Sequence, residues 1–168
     1  MVPSYTAALA AGRPVNGFKG GTLADGLAVP VVGHNAFAIA SRCVDEVHLV
    51  SEQMIAIAML RLIEMEKTVS EGAGCAALAA ILPGGPLYGR FKGKKVVIPL
   101  CGGNVDTPVL GRVMERALAA DNRLIRFTVI VSDRPGGIAN LCRCIADSGG
   151  SIKVSDSTMK ILLSAYFL

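Results

Sequence analysis

The residues best placed to do chemistry are Cys101-Gly102-Gly103-Asn104, a thiol, two glycines and an amide that follow directly on Lys95-Val96-Val97-Ile98-Pro99-Leu100. That apolar run reads as a parallel strand covered on both faces, with Pro99, which cannot donate to a ladder, at an edge or at the strand's end. Thr107 and Pro108 then occupy N-cap and first-turn positions of a helix over Val109 to Ala119. Strand, glycine loop and helix make an α/β unit whose loop lies at the strand's carboxyl end, where ligands of such sheets bind. The loop fits a tight turn with a buried Cys101 equally well. The residues by themselves leave both readings open.

Other chemistry-bearing residues have plainer explanations. Gly72-Ala73-Gly74-Cys75-Ala76-Ala77 matches the outline G-x-G-x-x-A of a dinucleotide loop. A helix and Ser-Glu precede it instead of a strand, and no acidic residue follows at the required place, so it reads as close helix packing. His34 and His48 have no spacing partner for a metal or a nucleophile, and His48 reads as the wet-facing residue of a strand. No metal site is expected. Tyr88, Arg90, Phe91, Lys92, Lys94 and Lys95 interleave aromatic and basic residues, but they fit a solvated turn better than an RNA surface. Glu64 and Glu66 point different ways on a helix and are no acid–base pair.

Several elements must position these residues. Met1 to Gly26 carries five glycines and two prolines, so it is expected to be loop-rich apart from a short alanine-rich turn near Thr6 to Ala11. Glu46-Val47-His48-Leu49-Val50 alternates as a half-buried strand. Ser51 then stands at an N-cap, with Glu52 in the first turn near the positive end of the dipole. From Gln53 to Lys67, Ile55, Met59, Leu62, Ile63 and Met65 keep mostly to one side, with Glu52, Arg61, Glu64 and Lys67 on the other, the pattern of a helix lying on a sheet. Ala76 to Leu82 is a second helix of small residues that must approach its neighbours closely, ended by Pro83-Gly84-Gly85-Pro86.

The chain changes character near Asp121-Asn122. Arg123 to Val131 reads as a strand with one wet face, Asp133-Arg134-Pro135-Gly136-Gly137 as a turn, Ile138 to Ala146 as a helix and Gly150 to Ser157 as a second strand. Met159 to Leu168 is an apolar tail with no assigned role. The expected organisation is a domain over 1–120 and a smaller unit over 121–168.

Composition narrows the classes. Of 168 residues 52% are apolar and 18% charged, enough for a sizeable core and too apolar for a disordered chain. The net charge of +4 is mild and spread out, short of the basic surface that nucleic acid demands. No apolar stretch reaches the roughly 20 residues of a membrane span, and no signal or transit pattern opens the chain. Five cysteines, Cys43, Cys75, Cys101, Cys142 and Cys144, lie among apolar neighbours in no paired framework, as reduced thiols of a cytoplasmic protein do.

Five stretches act together. Thr22-Leu23-Ala24-Asp25-Gly26, Val44 to Val47 through Val50-Ser51-Glu52, Glu71-Gly72-Ala73-Gly74, Lys92 to Val97 and Cys101 to Asp106 resemble, in order and spacing, the second half of the catalytic domain of L-threonine ammonia-lyases. These are pyridoxal 5′-phosphate enzymes of fold type II, the tryptophan-synthase-β-like fold, close to serine dehydratases and serine racemases. The stretch from Arg123 to Ser157 resembles the start of an ACT domain, a small amino-acid-sensing α+β module. The likeness spans about residues 3–157.

The resemblance implies an α/β portion of a fold-type II enzyme followed by an incomplete ACT-like unit. It implies that Cys101 hydrogen-bonds the pyridine nitrogen of the cofactor while Gly102, Gly103 and Asn104 hold the ring's edge. A thiol cannot keep that nitrogen protonated as an aspartate would, and the weaker electron sink suits elimination, where a departing hydroxyl takes the electrons at once. Asp25, Gly26 and Glu71 would line the same cavity, and Asp133, Arg134, Pro135, Gly136 and Gly137 would bind an effector. The implied reaction dehydrates and deaminates threonine to 2-oxobutanoate, or serine to pyruvate. The alternatives are a serine racemase-type enzyme and an ACT-like amino-acid-binding or interaction module.

Such enzymes need a Schiff-base lysine, a phosphate-binding glycine loop and an acidic cation ligand. The family places all three ahead of Met1, and Gly17-Phe18-Lys19-Gly20 only mimics the lysine's setting. The expectation is therefore a carboxy-terminal piece of an ammonia-lyase that is not competent alone, paired with its own kind or with a full-length subunit.

Overall fold

The computed structural model describes residues 3–17, 20–127, 129–131, 134–154 and 161–164. The chain divides into two compact units, Met1–Met114 and Glu115–Leu168. The sequence reading places the division a few residues later, between 120 and 121. Phe18, Lys19 and Asp133, and residues 155–157 of the expected final strand, lie outside the described residues.

The first unit is helical. Helix α1, Ser4–Ala11, ends at Gly12 in the left-handed conformation. Helix α2, His34–Cys43, is one the sequence reading did not identify. Helix α3, Glu52–Arg61, begins as expected: the Ser51 hydroxyl accepts the Met54 backbone N–H at 3.2 Å, which satisfies one of the free amides of the first turn. Its face of Ile55, Ala56, Met59 and Leu60 is buried, and it packs on α4, Ala76–Ile81, where Ala79 and Ala80 are small enough for close approach. The core of this unit includes these two helices with Leu62 and Cys75, joined by Ala8, Ala24 and Val113.

One part of the amphipathic pattern breaks. Leu62–Glu66 forms a π-turn, whose wider winding carries the end of the helix out of phase with its start. Met65, expected on the packed side, is exposed as a result.

The expected parallel sheet is absent from the described residues of this unit. Neither 46–50 nor 95–100 forms a ladder, and the pairing seen is a single bridge from Asn16 to Val31. A strand gains its backbone hydrogen bonds only from a paired neighbour, and among the described residues neither run is paired, although both line one hollow. Val97, expected to be covered on both faces, is 95% exposed.

Helix α5, Thr107–Ala120, starts where Thr107 and Pro108 indicate and runs through the division between the units. In the second unit, β1, Ile125–Arg126, is followed by α6, Gly137–Asp147, then β2, Ser151–Val154, and β3, Ile161–Ser164. The sheet order is β1-β3-β2 and both pairings are antiparallel, Ile125 opposite Leu163 and Ile152 opposite the same Leu163. The run with no assigned role thus supplies the central strand. Strand β1 is far shorter than the expected Arg123 to Val131.

Candidate functional site

Three loops of the first unit meet at Glu71. Its backbone N–H donates to the Gly102 carbonyl at 3.1 Å, and the Ser70 hydroxyl donates to the same oxygen at 3.0 Å. The 70–75 junction is thereby tied to the 101–104 loop. The tie is close. A Cβ on Gly74 would fall on the Cys101 carbonyl oxygen, so only glycine lets these backbones meet. Gly102 has φ +73°, and a Cβ there would run into the Glu71 carboxylate.

The third loop carries Asp25 and Gly26. Asp25–Leu27 is a single 3-10 turn in which the Gly26 N–H donates to the Asp25 carboxylate at 2.8 Å. A Cβ on Gly26 would lie 3.1 Å from the Ala73 Cβ and 3.8 Å from a Glu71 carboxylate oxygen. This loop therefore lies against the 71–74 junction. The last contribution is the start of α5, with Asp106 and Val109.

Together they enclose a cavity of about 240 Å3 whose walls include Asp25, Glu71, Asn104, Asp106 and, from α3 and α5, Met59 and Val113. Of the residues expected to act together, Asp25, Glu71 and Asn104 share this cavity, Gly26 and Gly102 abut Glu71, and Cys101 and Gly103 are exposed on the adjoining loop. Cys101 is not the buried thiol of a tight turn. Thr22, Leu23 and Asp106 also line the cavity without having been singled out as site residues. Their signal lay inside the runs Thr22 to Gly26 and Cys101 to Asp106.

Other candidates are not among its lining residues. Arg134, Pro135, Gly136 and Gly137 belong to the second unit, at the turn that opens α6, with Gly136 left-handed at the N-cap. Cys75 is fully buried, its thiol donating to the Ser70 carbonyl at 3.8 Å, and burial pushes that thiol up from its usual 9.0. His48 accompanies Glu46 at 2.8 Å, and both guanidinium nitrogens of Arg90 donate to the same carboxylate. The Arg90 guanidinium first, and His48 second, hold the Glu46 carboxyl at about 2, well below its ordinary 4.5. Among the described residues no histidine, cysteine and carboxylate cluster fits a metal ion, and no helix is long and apolar enough to cross a membrane.

Residues 1–102 match the family described as pyridoxal-phosphate dependent enzyme, and the chain belongs to that family. It is 37% identical over 151 residues to an L-threonine ammonia-lyase of Thermotoga maritima, covering 90% of this chain and 37% of that protein. It is 41% identical over 133 residues to the L-threonine ammonia-lyase of Geobacter sulfurreducens, covering 79% of this chain and 32% of the relative. Among solved structures, the processed form of threonine deaminase isoform 2 from Solanum lycopersicum superposes with a TM-score of 0.61 at 28% identity, over 69% of this chain and 32% of that one. Serine racemase from Dictyostelium discoideum gives 0.51 at 35% identity, over 62% and 33%. The chain thus spans about a third of the length of these relatives. The solved relatives are fold-type II enzymes, whereas the described residues of this chain are helix-rich with little sheet.

Proposed function

We propose that the first unit supplies the ring-nitrogen side of the pyridoxal 5′-phosphate site of an L-threonine or L-serine ammonia-lyase. The observation that carries this reading is the convergence of Glu71, Gly102 and the Asp25–Gly26 turn beside an exposed Cys101. These residues fit a flat heteroaromatic ring: two glycines leave backbone alone beside the thiol, and the Cβ space at 102 already belongs to Glu71. Cys101 would hydrogen-bond the ring nitrogen, and Gly102, Gly103 and Asn104 would hold the ring's edge. The cofactor, when bound, supplies an electron sink for cleavage at the amino acid's α-carbon.

The chain's own residues do the rest by placement. Asp25, Glu71 and Asp106 give the cavity an acidic lining that attracts the α-ammonium group of an amino-acid substrate. A thiol at 101 would offer the ring nitrogen a hydrogen bond in place of a carboxylate's charge, and the weaker electron sink that results suits loss of a hydroxyl. No lysine lines the described cavity, so the chain by itself is expected to bind the cofactor reversibly and not to turn over threonine.

The second unit we read as the first half of an ACT-like module. Strands β1 and β2 are both antiparallel to β3, which lies between them, with α6 crossing from β1 to β2. That is a split βαβ arrangement, the beginning of a βαββαβ fold. Arg134 to Gly137 at the mouth of α6, with Asp133 beside them in sequence, are the residues proposed to meet an amino-acid effector. Cytoplasmic residence and self-association belong to the same proposal, and the five free thiols agree with a reducing compartment.

A chimera tests the enzyme reading. In the Thermotoga maritima relative, this chain replaces the matching 151 residues. Release of 2-oxobutanoate from L-threonine and of pyruvate from L-serine is expected. A folded chimera that takes up the cofactor but forms only D-serine, or no keto acid, would overturn the assignment in favour of the racemase or binding-module alternative. Turnover of threonine by the isolated chain would overturn the expectation that it is not competent alone.

A further inference from the structure

We infer that Glu52 is a positioning residue for the loop over the candidate site, acting from the far side of that loop without touching what binds there. Glu52 is the first residue of α3, and a carboxylate in that place is ordinarily explained by the helix dipole alone. The structure gives it a second task. One carboxylate oxygen accepts the Thr22 hydroxyl at 2.6 Å and the other accepts the Leu23 backbone N–H at 2.7 Å, across about thirty residues of sequence. Both are charge-assisted and part-buried, the strong kind of hydrogen bond.

The restraint passes along the loop. The Thr22 hydroxyl, held by Glu52, accepts the Ala24 N–H at 3.1 Å. Asp25 comes next in the chain and begins the turn that brings Gly26 against Ala73 and Glu71. Thr22, Leu23 and Asp25 face the 240 Å3 cavity, and Glu52 lines instead the larger hollow that contains Val50, Ile55 and Leu87. Two polar groups of the loop are thus fixed by the one carboxylate at the start of α3, and a third, the Ala24 amide, through the Thr22 hydroxyl. A loop without such a brace has only solvent to satisfy the Leu23 amide, and its Asp25 would sample many positions. The inference relies on the proposed function only in naming what the loop covers.

Hydrogen–deuterium exchange resolved to single amides tests it in the chain as it stands. In E52A the Leu23 amide should exchange about tenfold faster or more, as expected for a lost charge-assisted bond, and the rise should extend through Ala24 to Leu27. Amides within α3 should keep their protection, because Ser51 still caps that helix. T22V should loosen the loop from its own side without touching the helix, and T22S, which keeps the hydroxyl, should restore protection. If E52A fails to fold, the pair T22V and T22S carries the test. Unchanged exchange from Leu23 to Leu27 in E52A, or in T22V, would overturn the inference, and so would a rise spread equally over α3. A cofactor titration of the unaltered chain separates the two claims: loop loosening without any cofactor binding sinks the proposed function alone, and cofactor binding with an unmoved loop sinks this inference alone.

Discussion

Glu71 and Gly102 hold each other in place: the amide of the first donates to the carbonyl of the second at 3.1 Å, while the carboxylate of the first fills the space a side chain on the second would need. G102A should therefore suffer twice, from the left-handed backbone at φ +73° and from collision with Glu71. A loss of about 1–3 kcal/mol is expected, read as a lowered thermal midpoint. G103A meets only the Val69 carbonyl at 3.2 Å, has no positive φ, and should lose less.

Ser70 is buried and its hydroxyl supports the same junction. S70A leaves the Gly102 carbonyl with the Glu71 amide as its remaining donor. The expected cost is about 1 kcal/mol, the net worth of one such bond, measured by denaturant unfolding against the unaltered chain.

The surface cluster of Glu46, Arg90 and His48 gives a pH signature. Hydrogen bonding from Arg90, then from His48, lowers the Glu46 carboxyl from 4.5 to about 2 in the folded chain. A carboxyl depressed on folding contributes its stability fully above 4.5, and that contribution fades as pH falls toward about 2. Carbon-detected titration of Glu46 should show the low midpoint, and R90A should raise it toward the ordinary value. Because the group is fully exposed, global stability should respond little.

Thiol reactivity should track burial. Cys43, Cys101 and Cys144 are exposed, and Cys75 is enclosed with its thiol pushed upward by desolvation. A disulfide reagent at neutral pH should modify the three exposed thiols first, and Cys75 only at the rate of unfolding. Rapid labelling of Cys75 in the folded chain would contradict the packing of α3 against α4.

Helix signals were legible because each is local. Ser51 caps α3 through its own neighbour Met54, Thr107 and Pro108 mark the start of α5, and the alanines of α4 announce the close packing that Ala79 and Ala80 show. Strand signals misled because a strand is a pairwise object. The alternation at 46–50 and the apolar run at 95–100 describe what such segments could bury, and they do not specify a pairing, which neither run makes among the described residues. The reverse error occurred at Ile161–Ser164, whose apolar residues show no clear period yet form the central strand of the second unit.

Within the site, the glycines and Glu71 were readable as a group only through the order of five short runs, since nothing in their separate spacings brings position 25 to position 71. The link between Glu52 and Thr22 carried no sequence signal at all. A carboxylate at a helix start looks the same whether it serves the dipole alone or also reaches a loop thirty residues earlier.

The central claim, that Cys101 faces the ring of pyridoxal 5′-phosphate, is tested most directly by the rate of alkylation of each cysteine with and without saturating cofactor, read by mass spectrometry. Cofactor should slow labelling of Cys101 severalfold and leave Cys43 and Cys144 unchanged. Equal labelling of Cys101 in both conditions would contradict the account.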